Sequence, residues 1–458
     1  MNSKTRHYMI PAKLAFVFNI ATLLLFILSP WNYQVTNYAS VILVVVSCNL
    51  AMYLGYLFTV LRHQTPLKDE KYRFQMDQND SIRIKQLLHW SIIAAIFAIP
   101  DLLYNSRMWN LSPAQLLERI RIAFTNSSLN YSYSLNYTDS GTILERFVVL
   151  VDVFVYFFKF SVLPLTIYYW KKVGKTQKIL CAYVTFVDAT KWLLKGMNKG
   201  IFDIAFVFLA ASFLAVSSNG MFDKISATVK RKIRARRKYL LLLGIILLAG
   251  AVVLFVMNGR ARTGGRVYSS YYSQSMRLSA DRDNFLLRFV PPRLHSAALD
   301  IDMYLTNGYQ GLSYALRLPF KWCFGIGNNQ FLISNFRDAF GLDVSNLSYL
   351  HRIEEVFPWQ EWHNWHTLYT WLANDVPFLL LPLVFLFYGF LFASSWIDSI
   401  EKHNPYAIMI FCFFVIRIVY LSANNQVLSL SQSFIAWYIA LFMWFISRNG
   451  RRVKITVG

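Results

Sequence analysis

Two histidines, His363 and His366, lie one helical turn apart in the run Trp359-Gln360-Glu361-Trp362-His363-Asn364-Trp365-His366-Thr367-Leu368-Tyr369. A neutral imidazole accepts a proton near neutral pH, so either residue suits a general base at a water boundary. The same spacing permits metal ligation, yet no cysteine is nearby and the carboxylates match no common zinc set. No metal is expected. The tryptophans of this run read as an interfacial aromatic belt.

Residues 258–366 also carry ten arginines and one lysine, Lys321. Arg260, Arg262 and Arg266 follow directly on an apolar run, and Arg277, Arg282, Arg288, Arg293, Arg317, Arg337 and Arg352 come later. A guanidinium presents a planar fork that grips phosphate or carboxylate oxygens in pairs, whereas an ammonium is a point charge. Other basic loops of the chain mix Lys and Arg freely, so a general preference for Arg does not explain this segment. Surface pairing with Asp281, Asp283, Asp300, Asp302 or Glu354 accounts for about half of these arginines, at about 0 to 1 kcal/mol per pair. The rest call for an anion, and a phosphate fits best. Lys191, Lys195 and Lys199 form a second basic stripe along one helical face, with Asp188 placed to partner Lys191. Snorkelling of Lys195 and Lys199 is the plain alternative. Arg417 stands among Phe414, Val415, Ile416, Ile418 and Val419, where a charge must face a cavity or a partner. Asp152, Lys159 and Asp203 read as interhelical pairs.

The elements that position these groups are helices in a bilayer. The 458 residues are 56% hydrophobic and only 15% charged, too apolar for an ordinary soluble globule. Spans are expected near 12–29, 38–61, 87–104, 147–170, 179–196, 201–218, 239–257, 376–396, 406–424 and 433–447: about ten, in an all-α polytopic fold. The net charge of +22 lies largely in short loops between apolar runs, so it sets topology rather than binding nucleic acid. Those basic loops alternate so that both termini fall on the cytoplasmic side. Residues 1–257 then form an N-terminal transmembrane bundle, 258–375 a large extracytoplasmic loop domain, and 376–458 the C-terminal helices with a basic cytoplasmic tail. The first apolar run has no small-residue cleavage pattern and reads as a retained span. In the outward segment 105–146, Ser112-Pro113-Ala114-Gln115 predicts a helix start. The Asn126, Asn130 and Asn136 triplets there read as chance in an Asn- and Ser-rich loop. Only Cys323 of the four cysteines lies outside the expected spans, which leaves no extramembrane pair.

Three stretches resemble the O-antigen polymerase and O-antigen ligase family of bacterial membrane glycosyltransferases, more closely the polymerases of lipid-linked oligosaccharide repeat units. Lys195-Gly196-Met197-Asn198-Lys199-Gly200-Ile201-Phe202-Asp203 is similar to the family's turn between two middle helices, with Lys199 as its basic residue. Tyr304 to Leu312, including Tyr309, leads to Phe324-Gly325-Ile326-Gly327-Asn328-Asn329-Gln330-Phe331, similar to the family's Gly-x-Gly in the outer loop. His366, Tyr369, Asp375 and Pro377 resemble its pattern entering the next span, while His363-Asn364 matches its His-Asn pair. Pro377 stands where the family usually has Gly.

The resemblance implies a GT-C-like, metal-independent inverting transferase without cofactor at the outer face of the bacterial inner membrane. Polyprenyl-diphosphate-linked oligosaccharides would be donor and acceptor, the product an O-antigen or capsular-type polysaccharide, and a chain-length regulator a further partner. His366 or His363 would serve the acceptor hydroxyl; Arg260, Arg266, Arg317, Arg417 and Lys199 would hold the diphosphate. An O-antigen ligase is the rival within the class. A flippase or transporter of lipid-linked oligosaccharide is the rival outside it, disfavoured by the missing repeats and the long outer segment. A noncatalytic assembly subunit is the third.

Overall fold

The structure, a computed structural model, describes residues 3–63, 70–106, 108, 112–125, 129, 143–218, 239, 242–256, 271–273, 276–361 and 364–449. It is mostly helical. Among the described residues, six helices are long and apolar enough to cross a membrane: Ile10–Leu28, Tyr38–Arg62, Arg83–Asn105, Leu150–Tyr168, Lys199–Ser218 and Phe378–Lys402. Exposed Leu14, Val17 and Leu24 on the first, and Leu43, Leu50 and Phe58 on the second, form the apolar surface that a bilayer covers. The chain is an all-α polytopic membrane protein, with fewer qualifying spans than the ten expected. The other expected spans are helices too, and their sequences explain the shortfall. Leu242–Val256 and Pro405–Val419 are apolar but short. Lys175–Leu194 carries Lys178, Asp188 and Lys191, and Ser431–Asn449 has polar ends.

The chain divides into two compact units, each drawn from separate stretches of sequence. The first comprises Met1–Gln64, Arg266–Ser394 and Ile416–Ser431; the second comprises Thr65–Gly265, Ser395–Val415 and Gln432–Gly458.

In the first unit the spans Ile10–Leu28 and Tyr38–Arg62 pack on each other and on the buried helix His295–Ala315. A small antiparallel hairpin pairs Tyr272 with Ser279 and Ser273 with Leu278, and Trp31 bridges to the adjoining Ala280. Trp31 also donates its indole N–H to the Leu299 carbonyl at 3.1 Å, tying the loop between the two spans to the long helix. Inside the spans, Asn19 donates to Asn49 at 2.7 Å and Asn49 donates to the Tyr369 hydroxyl at 2.7 Å. Isolated amides among leucines and valines are stable there because each answers another polar group.

Short helices in this unit begin at side-chain caps, as their sequences dictate. Asn329 accepts from the amides of Phe331 and Leu332, Ser348 from that of His351, and Thr367 from that of Thr370. Helix Gln330–Phe340 ends at Gly341, whose φ of 66° is the left-handed conformation that closes a helix.

In the second unit, helices Arg83–Asn105, Ile143–Tyr168, Lys175–Leu194 and Lys199–Ser218 form the bundle, with Phe160 stacked on Phe413 at 3.8 Å. The expected helix start at Ser112 is present. The Ser112 amide donates to the Gln115 side chain at 2.8 Å, and Gln115 returns the bond at 3.4 Å, opening helix Pro113–Thr125.

Candidate functional site

Helix His295–Ala315 carries Gly308 and Gly311 one turn apart, and the chain around His366 lies directly on them. A Cβ at Gly308 would stand 2.1 Å from the Ser422 carbonyl oxygen, and one at Gly311 would stand 3.0 Å from the Trp365 oxygen and 3.5 Å from His366 Nδ1. The first approach excludes a side chain; the second is tight. The Leu368 amide donates to the Leu421 carbonyl at 2.9 Å, and Trp365 meets Tyr304 edge to face at 5.0 Å. The loop, the glycine face and the segment after Val419 are thereby fixed together.

His366 is 2% exposed, and neither ring nitrogen has a hydrogen-bond partner of good geometry among the described residues. Burial pushes its pKa down to about 3, with the Gln360 backbone offsetting only part of that. The ring is therefore neutral at physiological pH. It can accept a hydrogen bond from a hydroxyl, and a negative charge brought close would raise its basicity. Arg417 lies one turn before Leu421. It is buried, donates to the Tyr388 hydroxyl at 2.8 Å and packs over that ring at 4.6 Å.

The same unit buries Asn307, Gln310, Asn364, Ser422, Asn425 and Gln426, each with a polar atom that has no hydrogen-bond partner among the described residues. Buried polar atoms are almost always bonded, so these groups are the ones in this unit open to a ligand or ordered water. These groups are amides and hydroxyls, the donors and acceptors that match sugar hydroxyls.

Arg317 is exposed. Its guanidinium lies 4.7 Å from the Phe357 ring, which stacks on Tyr314 at 4.4 Å. Arg352, by contrast, is buried and donates to the Pro319 carbonyl at 2.6 Å, so it is a structural residue. Tyr309 is buried with its hydroxyl paired to Thr22 at 2.9 Å and its ring 5.2 Å from Phe26, a packing role.

Gly325 and Gly327 form a nest of backbone amides already filled by the chain itself. Asp375 accepts from the amides of Gly325 at 2.9 Å and Gly327 at 3.1 Å with one oxygen, and from the Asn328 amide at 2.9 Å with the other. Gly325 has φ 81°, and a Cβ on Gly327 would lie 2.4 Å from that of Cys323. Desolvation outweighs these bonds and pushes the Asp375 carboxyl above its ordinary range. A second buried carboxyl, Asp302, accepts from the Ser29 hydroxyl at 2.5 Å, and burial raises its pKa to about 7.

Lys199 belongs to the second unit. There Lys191, Lys195 and Lys199 surround the Trp192 indole at 5.4, 5.3 and 5.9 Å from its centroid. Lys191 pairs with Asp188 at 2.7 Å, as its spacing predicts. Arg260, Arg266 and His363 lie outside the described residues. The neutral residues around His366 went unnoticed in the sequence. Their one visible signal is polarity without charge at Asn307 and Gln310 beside Gly308 and Gly311.

Comparison with protein-family models, curated proteins and solved structures finds no match for this chain.

Proposed function

We propose that the protein is a membrane glycosyltransferase of GT-C-like architecture. It polymerises polyprenyl-diphosphate-linked oligosaccharide repeat units at the outer face of a bacterial inner membrane. The observation that carries the reading is that one unit buries an imidazole with no well-formed hydrogen bond among the described residues, a guanidinium, and a set of uncharged amides. In this reading His366 receives the hydrogen bond of the acceptor hydroxyl and takes its proton as the glycosidic bond forms. The departing diphosphate gathers negative charge, which Arg417 and exposed Arg317 offset. That charge also raises the basicity of the imidazole when it is needed. Lys199 belongs to the second unit and is not assigned to this anion, and Arg260 and Arg266 lie outside the described residues. Fixing two lipid-tethered substrates side by side supplies much of the rate gain.

The test replaces the chromosomal gene with His366→Ala or Arg417→Ala and reads the glycan ladder on gels. Both variants should leave single repeats while long chains vanish at normal protein level. Unchanged ladders would refute the assignment. A transporter of the same lipid-linked substrates is the second reading, favoured by the charged side chains buried among the helices of the second unit. It predicts loss of single repeats as well.

A further inference from the structure

The second unit holds a connected ionic network that the glycosyl-transfer reading leaves unused. Asp101 forms a very short contact with Lys159 and accepts from Lys191 at 3.0 Å, while Lys191 also reaches Asp188 at 2.7 Å. Asn105 donates to Asp101 at 2.5 Å and to Asp152 at 3.2 Å, and Gln432 donates to the same Asp152 oxygen at 3.0 Å. The side chains of Asp101, Lys159 and Lys191 are 3%, 4% and 6% exposed; that of Asp188 is 24% exposed and brings the network to the surface of the unit.

The ion pairs stop short of Asp152. Two ammonium groups answer Asp101 and Asp188, which leaves Asp152 with neutral amide donors only. Asp152 is 6% exposed, and its second oxygen, Oδ1, has no partner among the described residues. Lys195, Lys199, Asp203 and Arg119 lie on the same and adjoining helices, and none of them pairs with Asp152 among the described residues. An uncompensated buried carboxylate costs several kcal/mol. It persists only if a cation joins it. The groups facing the other Asp152 oxygen are N–H donors, which repel a metal ion but accommodate a protonated carboxyl.

We infer that Asp152 is an intramembrane proton-binding site, linked to the aqueous phase through Asn105, Asp101, Lys191 and Asp188. Buried chains of this kind carry protons through membrane proteins. The inference stands on the second unit alone and survives failure of the glycosyltransferase reading.

The test is infrared difference spectroscopy of the full-length protein in lipid bilayers at neutral pH, wild type against Asp152→Asn. The wild type should show a protonated-carboxyl C=O band that shifts in D2O and is absent from the variant. Its absence from the wild type, or failure to exchange, would overturn the proposal. A thermal-unfolding series in sodium and in potassium chloride supplies the second arm, read on the wild type and on the near-isosteric Asn variant. Equal midpoints in the two salts are expected. Stabilisation of the wild type by sodium alone, lost in Asp152→Asn, would assign the site to a metal cation and refute the proton.

Discussion

Asp302 gives the sharpest quantitative prediction. Its carboxyl is buried, bonded to Ser29, and held up to about 7 against an ordinary value of 3.8. The folded chain therefore binds this proton more tightly than the unfolded chain. Stability from the group is complete below the unfolded pKa and is lost as pH rises through about 7. About three units at 1.36 kcal/mol each give about 4 kcal/mol as the ceiling on that loss. Asp302→Asn imitates the protonated acid in shape and hydrogen bonding. It should match wild type near pH 4 and exceed it near pH 8, by about 2 to 4 kcal/mol. The assay is unfolding of purified protein in one detergent at both pH values, followed by tryptophan fluorescence. Asp300, raised to about 6 by burial, titrates in both proteins, so the difference between them isolates Asp302. An Asn variant with the same pH profile as wild type would refute the argument.

Three further outcomes follow, the last two resting on the proposed function. Asp375→Ala strips acceptors from the amides of Gly327 and Asn328 and should cost about 3 kcal/mol of stability, with Asp375→Asn losing about half as much in the same unfolding assay. Gly308→Val drives a side chain into the Ser422 carbonyl and should abolish long glycan chains even where the protein still accumulates in membranes; wild-type ladders would contradict the close approach. Arg417→Lys keeps the charge but loses the forked donor, so chains should shorten while protein level holds. Rescue to wild-type length by Lys would show that charge alone suffices.

Helix positions were legible because apolar runs of bilayer length announce themselves, and the Ser112 to Gln115 start followed from local capping chemistry alone. The Asp188 to Lys191 pair was readable from spacing. The contact of Lys191 with Asp101 was not, because the two stand ninety residues apart on different helices that no single window contains. Asp101, the hub of those pairs, sits in a run whose hydropathy hides it. The glycine motif was visible, but its role depended on Asp375, about fifty residues further on, and that contact is tertiary. The arginine segment was visible as composition; Arg352 turned out to brace backbone carbonyls, which composition does not distinguish from ligand binding. His366 was identifiable by residue type, whereas its depth came only from the way Gly308 and Gly311 let the loop settle onto a helix.

The chain of Asn19, Asn49 and Tyr369 has one more implication. Asn19 is midway along a span of 19 residues, about 14 Å from either end at 1.5 Å per residue, and Tyr369 joins it through Asn49. Tyr369 follows His366 by three residues, so the imidazole is tethered to a polar row inside two spans. Bulk solvent is scarce around so buried a ring. On the proposed function, a donor sugar activated beside it would meet an incoming sugar hydroxyl far more often than a water molecule, which is the difference between lengthening a glycan and hydrolysing its precursor.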